Sequence, residues 1–459
     1  MKVMKFGGSC LAEAKNFLET VKFVKQEEGQ LAIVLSAISG TTDLLINAIN
    51  LALNNERNVL SMVKALKDKH LRIIEDTISN KEIYDQVEEE IEHRLDKLER
   101  LLYGVAYTEE ITPSLKAMIL SYGERLCVHL FAGVLRDQGQ QAIALEADDI
   151  GIITDEHYEH ATALLEDTRD NLQMKVMPLI EKGIIPVITG YFGKTSKGKI
   201  TTFGRNGTDY SAAVVAYALN ASVLEIWKDV DGFMSADPKI VNNAHLIEQL
   251  SYKEAAELSY FGAKILHPRT VEPLENLGTP IFIKNVNAKD KKGTVIVKDG
   301  YEYRDVIKSV TYNRNINVLK VQGPGVGYKP GIIAEIGGAL SYAGINIYSI
   351  ITSQTSINLL VDKQDALKSY EILQKLTERV IERIDIADDI ALVAVVGEGL
   401  LKRKGVAARV FSAVARADVN VEMISSGASD VAYYFVVKQN DVELAIKAIH
   451  KEFFSNGVN

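Results

Sequence analysis

Four short runs, apolar almost throughout, constrain this chain more than any other feature. They are Val3–Phe6, Leu31–Leu35 (LAIVL), Gly183–Thr189 (GIIPVIT) and Ala221–Trp227 (ASVLEIW). A strand with one wet face alternates apolar and polar residues. Runs without that alternation suit strands covered on both faces, as in a mostly parallel sheet. Helical stretches separate them, so residues 1–290 read as α/β layering. The chain has 459 residues, room for about three domains. Its 47% apolar and 25% charged residues make disorder a poor reading for most of it.

One stretch breaks the rhythm. Residues 54–102 are rich in Glu, Lys, Asp and Leu and contain neither Gly nor Pro. Within them Val87, Ile91, Leu95, Leu98 and Leu102 recur at helical spacing. That is the apolar stripe of an amphipathic helix, so a helical insertion over about 54–110 with a solvated charged face is predicted. A docking surface is the sharper alternative.

The C-terminal part repeats itself without gaps at an offset of 74 residues. Gly331, Ala334, Ala339, Ala343, Asn346 and Ile350 match Gly405, Ala408, Ala413, Ala417, Asn420 and Ile424. In each copy a strand (Val318–Gln322; Ala391–Val396) precedes a Gly-rich loop, a helix (Ile332–Tyr342; Val406–Arg416) and further strand-like sequence. This β-α-β-β rhythm predicts two related α+β modules. The main boundary is placed in the polar, charged stretch near Asp299–Asp305.

Charge narrows the function classes. With 52 basic and 61 acidic side chains the formal net charge is −9, which argues against a general nucleic-acid binder. A few Lys and Arg can still build a local site for a small anion. Two cysteines, Cys10 and Cys127, supply no disulfide framework and fit a reducing compartment. No secretory signal is read at Met1–Phe6, and no apolar run is read as reaching the roughly 20 residues of a membrane helix. A soluble cytoplasmic protein with no membrane partner is expected.

Five motifs carry chemistry. Lys5-Phe6-Gly7-Gly8-Ser9 ends the first strand; its glycines let backbone N–H groups approach a phosphate, and Lys5 adds a point charge. Phe203-Gly204-Arg205-Asn206-Gly207-Thr208-Asp209-Tyr210 is a Gly-rich turn leading into a helix. There Arg205 offers a planar fork for a carboxylate, while Asp209 fits either a helix cap or a group that orients an ammonium or a metal. Ser121-Tyr122-Gly123-Glu124-Arg125 presents a Glu able to accept a substrate ammonium, or else a surface ion pair. Ile226-Trp227-Lys228-Asp229-Val230-Asp231-Gly232 runs from a strand end into an acidic turn, with Trp227 either a core aromatic or a base-stacking one. Phe261-Gly262-Ala263-Lys264-Ile265-Leu266-His267-Pro268 is the fifth. His157 and His160, at i,i+3, read as solvated residues on a helix, and no metal-ligand set is predicted.

In this order the five motifs resemble those of the aspartate kinases of the amino-acid kinase family, and the resemblance spans essentially the whole chain. It implies a three-layer α/β/α sandwich with an open, mostly parallel sheet over 1–300, then two ferredoxin-like ACT modules at 301–384 and 385–459. It also implies transfer of the ATP γ-phosphoryl group to the β-carboxylate of L-aspartate, with Mg²⁺ carried mainly by the ATP phosphates. A free aspartate side chain titrates near about 3.9, so that nucleophile is ionised at pH 7 and no general base is needed.

Position by position, Lys5 would stabilise the transferring phosphoryl group, and Asp209 would orient Lys5 and the substrate amine. Ser36, Thr42, Glu124, Arg205 and Thr208 would bind aspartate, Glu124 at its α-ammonium and Arg205 at its α-carboxylate. Gly7, Gly8 and Ser9 would lie along the phosphates, and Lys228, Asp229, Met234, Lys239 and Lys264 fall at ATP-site positions. The chain departs from the family pattern in several places: Cys10 stands for Ser, Asn206 for Gly, Thr208 for Ser, Lys228 for Thr, Met234 for Tyr and Lys239 for Arg. Unusual nucleotide contacts are therefore expected of an active kinase.

ACT modules imply an amino-acid effector and pairing into a homodimer or tetramer. Asn346, Ile347 and Gln354 are the candidate effector residues; Tyr348 and Gln354 stand where lysine-sensitive relatives carry acids. A buried ammonium without a carboxylate is costly, so threonine is favoured over lysine. No fused dehydrogenase is expected, because the chain ends soon after the second module. The rivals are a non-catalytic ACT sensor derived from a kinase, and a kinase of the same superfamily acting on glutamate, UMP or carbamate.

Overall fold

The computed structural model describes residues 1–204, 206–263, 265–288, 291–299, 306–376 and 381–454. The chain forms two compact units. One comprises Met1–Phe233, Leu246–Ala256 and Lys264–Gly300; the other Met234–His245, Glu257–Ala263 and Tyr301–Asn459.

The first unit is built on an eight-stranded sheet. Its strands run in the order Ala142–Leu145, Ile185–Thr189, Leu31–Leu35, Lys2–Phe6, Val223–Lys228, Ile281–Asn285, Thr294–Val297 and Gln249–Ser251. Every pairing is parallel except that of Ile281–Asn285 with Thr294–Val297. The apolar runs are central strands, as predicted, and Leu31–Leu35 is buried at every residue.

Strand alternation sorts the side chains of Lys2–Phe6 between two layers. Met4 and Phe6 enter a core with Phe17 and Phe131, on the side of helix Tyr122–Asp137. Lys5 emerges on the opposite face, where it meets the helix Gly207–Ala218. Trp227 stacks on Phe6 at 6.1 Å, lies 4.9 Å from Phe23 and is 5% exposed, so it is a core aromatic.

The insertion belongs to the same core. Helices Asn58–Thr77 and Lys81–Thr108 form it. The stripe Val87, Ile91, Leu95, Leu98 and Leu102 is buried together with Phe17 and Phe131. Asn80 caps the second helix by accepting from the amides of Glu82 and Ile83. By length and composition residues 113–137 could cross a membrane, contrary to expectation; they form two helices, and 89% of their most apolar window is buried inside the protein. His157 and His160 lie in a turn rather than on the expected helix, with His157 beside Asp155 at 3.2 Å.

The second unit holds two four-stranded antiparallel sheets. One runs Ile347–Thr352, Ser356–Asp362, Ile316–Gln322, Arg383–Ala387. The other runs Met423–Ser425, Ala432–Lys438, Ile390–Val396, Ser309–Asn313. The predicted helices Ile332–Tyr342 and Val406–Arg416 occur at those bounds.

The expected cut between 384 and 385 is corrected on two counts. It falls inside the strand Arg383–Ala387, which closes the first sheet. The fourth strand of the second module, Ser309–Asn313, comes from ahead of the first module and pairs Ser309 with Val396 through Asn313 with Leu392. Burial explains the choice, since Ile307 and Val310 pack in the second module's core with Val393 and Val395. The modules are nested rather than consecutive. The boundary read near Asp299–Asp305 lies mostly outside the described residues.

Candidate active site

Parallel strands end on one side of a sheet, and ligands of open α/β sheets bind beyond those carboxyl ends. Five chain segments deliver side chains there. Lys5 precedes the end of its strand, with Gly7, Gly8 and Ser9 following; Ser36–Gly40 follows Leu31–Leu35. Lys228 ends Val223–Lys228. Glu124 and Asp209 each lie in the first turn of a helix, Tyr122–Asp137 and Gly207–Ala218.

Two glycines allow close approach. A Cβ at Gly8 would lie 3.0 Å from the Ala37 carbonyl oxygen. A Cβ at Gly123 would lie 2.8 Å from the Ala37 Cβ, so only glycine lets this helix start against the Ser36–Gly40 loop. That contact positions Glu124, whose Oε1 accepts the Ala37 N–H at 3.0 Å. Glu124 is 3% exposed, and its Oε2 is buried without a hydrogen-bond partner. Burial pushes its carboxyl up to about 8, against the opposing pull of the Ala37 amide and the Lys5 ammonium.

The charged centre is a carboxylate between two ammonium groups. Lys5 Nζ lies 2.7 Å from Asp209 Oδ1, and Lys228 Nζ donates to Oδ2 at 2.8 Å. Asp209 is 1% exposed, and burial alone would raise its pKa. Lys5 and Lys228 overcome that and hold it at about 2. Burial lowers Lys228, and Asp209 only partly offsets the effect.

The Gly-rich turn is partly committed to the fold. The Gly7 N–H donates to the Trp227 carbonyl at 3.3 Å, as does the Cys10 thiol. Gly8 and Ser9 open the turn Gly8–Leu11, where amides lack acceptors of their own helix. Cys10 is fully buried, and burial raises its thiol pKa, so it is a packing residue.

The other expected residues are distributed as follows. Thr208 is buried beside Gly190, where an added Cβ would stand 2.2 Å from its Cγ2. Ser36 is half-buried and its N–H donates to the Phe6 carbonyl at 3.2 Å; Thr42 is half-buried in the first turn of Thr41–Asn54. Asp229 is exposed. Met234 and Lys239 belong to the second unit, and Arg205 and Lys264 lie outside the described residues. In the second unit Asn346 hydrogen-bonds the Tyr260 hydroxyl. Ile347 packs on the first module's core, and the Gln354 carbonyl accepts the Gly327 N–H at 3.3 Å.

Two residues escaped the sequence reading. The Lys69 ammonium, from the insertion helix Asn58–Thr77, donates to the Ser39 carbonyl. Thr41 is fully buried with its hydroxyl unpartnered. Nothing in the sequence distinguishes Lys69 from the other lysines of a charged helix. Thr41, rather than its neighbour Thr42, faces inward with Leu45 and Ala48 on the helix Thr41–Asn54.

Among the described residues no group of three or more His, Cys, Asp or Glu side chains gathers to hold a metal ion. Asp209 is already shared by two ammonium groups. The residues present therefore fit a divalent cation carried by phosphate oxygens and water.

The amino acid kinase family matches residues 1–285, and ACT domains match 311–375 and 393–453. The bifunctional aspartokinase/homoserine dehydrogenase of Buchnera aphidicola subsp. Acyrthosiphon pisum is 30% identical over 99% of this chain, which spans 57% of that protein's length. Aspartokinase 1, chloroplastic, of Arabidopsis thaliana is 31% identical over 99% of this chain and 80% of its own. The crystal structure of E. coli aspartokinase III with aspartate and ADP, in the R-state, superposes with a TM-score of 0.86 at 28% identity, over 99% of this chain and 100% of that one. The T-state complex of that enzyme with lysine and aspartate gives 0.80 at 29% identity, over 99% of both chains.

Proposed function

Because this chain belongs to the amino acid kinase family and carries two ACT domains, we propose that it is an aspartate kinase. In this reading it transfers the γ-phosphoryl group of ATP to the β-carboxylate of L-aspartate, giving 4-phospho-L-aspartate, the first step toward lysine, threonine and methionine. The observation that carries the reading is the pairing of an anion site with an ammonium site. Lys5 and Lys228 flank Asp209, while Glu124 keeps a buried oxygen without a partner.

The chemistry follows from charge. Aspartate's β-carboxylate oxygen forms a bond to the γ-phosphorus as the bond to the β–γ bridging oxygen breaks, and ADP leaves with that electron pair. The nucleophile is already an anion, so the obstacle is repulsion between two anions. Cations held in place in a dry site lower that barrier. Lys5 faces the transferring group, Asp209 holds Lys5, and Glu124 receives the α-ammonium. Arg205 takes the α-carboxylate, and Ser36, Thr42 and Thr208 complete the aspartate site. Gly8 and Ser9 lie along the phosphates, with Asp229 and Lys264 at the nucleotide. Mg²⁺, when bound on the nucleotide, neutralises part of the phosphate charge.

We assign the ACT modules an amino-acid effector and a role in pairing copies of the chain into a dimer or tetramer in the cytoplasm. Threonine is favoured over lysine because Tyr348 and Gln354 place no carboxylate where a lysine ammonium would need one. The test is ATP- and Mg²⁺-dependent hydroxamate formation, in which hydroxylamine traps the acyl phosphate. Aspartate should give product and glutamate should not, Lys5→Ala should abolish it, and threonine should suppress it. Turnover indifferent to threonine would remove the effector assignment alone. ATP binding without any turnover would favour the sensor reading.

A further inference from the structure

Lys228 stands where the resembled motif carries threonine, and the fold gives it an uncommon partner. Ile226 pairs in parallel register with Lys5, and residues two apart on a strand share a face. Lys5 and Lys228 therefore project toward the same side of the sheet, the side on which Gly207–Ala218 presents Asp209. Each takes a different oxygen of that one carboxylate, at 2.7 and 2.8 Å. Two ammonium charges meet a single carboxylate charge. Among the described residues neither lysine forms an ion pair with another acid. Their side chains are 5% and 15% exposed. An uncompensated positive charge in such a place is costly until an anion arrives.

We infer that Lys228 is a second catalytic cation, which together with Lys5 flanks the transferring phosphoryl group. The inference rests on the kinase reading above. In the transition state negative charge spreads over the three equatorial oxygens of that group, more than one ammonium can face. Lys5 and Lys228, fixed on opposite oxygens of Asp209, face two of them. The new bond joins the aspartate oxygen to phosphorus, the old one releases ADP, and Asp209 serves as the fixed spacer between the cations.

The experiment compares the full-length protein with Lys228→Gln, Lys228→Thr and Lys228→Arg. Calorimetry measures the affinity for Mg-ADP and for a non-hydrolysable Mg-ATP analogue, and the hydroxamate assay gives kcat and KM. The inference expects kcat to fall about 100-fold in the Gln and Thr variants, with affinity for the ATP analogue falling about 10-fold. Affinity for ADP should be unchanged, and arginine should recover much of the loss. Equal losses for ADP and the ATP analogue would place Lys228 on the nucleotide away from the γ-phosphoryl and overturn the inference. So would an unchanged kcat, with or without a lower melting temperature, which would leave Lys228 as a structural partner of Asp209. A wild-type protein that makes no hydroxamate from aspartate would remove the kinase reading, while the ratio of analogue to ADP affinities would still decide where Lys228 sits.

Discussion

Glu124 joins ligand binding to pH. Burial raises its carboxyl from 4.5 to about 8, so between those values the folded protein holds a proton that the unfolded chain has lost. Stability from this group is complete below about 4.5 and is lost as pH rises through about 8. Glu124→Gln keeps the shape and removes the titration. It should melt like the parent near pH 5 and higher than the parent near pH 9, a gain on the order of a few kcal/mol. The same variant should raise the KM for aspartate at least about 10-fold, since an amide accepts a hydrogen bond from an ammonium but brings no opposite charge to it. Melting curves across pH together with aspartate titrations check both; an equal melting difference at pH 5 and 9 would contradict the assignment. Lys5, Glu124 and Asp209 could be singled out in the sequence because each adjoins a glycine turn and carries a charge. Lys228 was visible too, but as a departure from a nucleotide motif. Its place against Asp209 depends on a strand register between residues more than two hundred positions apart.

The insertion reads in the sequence as an amphipathic helix, and its stripe is buried as the spacing requires. The sequence did not tell what lies against that stripe. Leu98 shares a core with Phe6 and Phe131, so the insertion backs the strand that carries Lys5 from the opposite layer rather than hanging from it. Lys69 makes the support specific by holding the Ser39 carbonyl, next to the Gly8 turn and in the loop whose Ala37 amide holds Glu124. Lys69→Met should leave the melting temperature nearly unchanged and raise the KM for aspartate by about 10-fold, since small misplacements of positioning groups are costly. Lys69→Arg should restore much of it. Steady-state kinetics on the two variants decides the matter, and a loss of stability with unaltered KM would assign Lys69 to packing alone.

The nested modules carry a prediction for the whole molecule. A fragment of residues 385–459 lacks the strand Ser309–Asn313 and should remain largely unfolded, because the Ile390–Val396 edge and the apolar surface around Val393 and Val395 are left open. A fragment of 306–459 contains both sheets' strands and should fold cooperatively. Circular dichroism melts of the two fragments check this, and a cooperative transition in the shorter one would show that the borrowed strand is dispensable.

By itself the sequence determined the local elements: buried parallel strands from unbroken apolar runs, an amphipathic insertion from its 3.6-residue stripe, and a doubled module from its ungapped repeat. Each rests on interactions between near neighbours in the chain, whose period is written in the residues. Tertiary structure alone decided which edge Ser309–Asn313 would fill, that Trp227 would enter a core, and that Lys228 would share Asp209 with Lys5. These depend on which buried surfaces and unpaired charges are matched across long sequence separations. Many chain segments offer an apolar strand or a lysine of equal local merit, and only packing and register select among them.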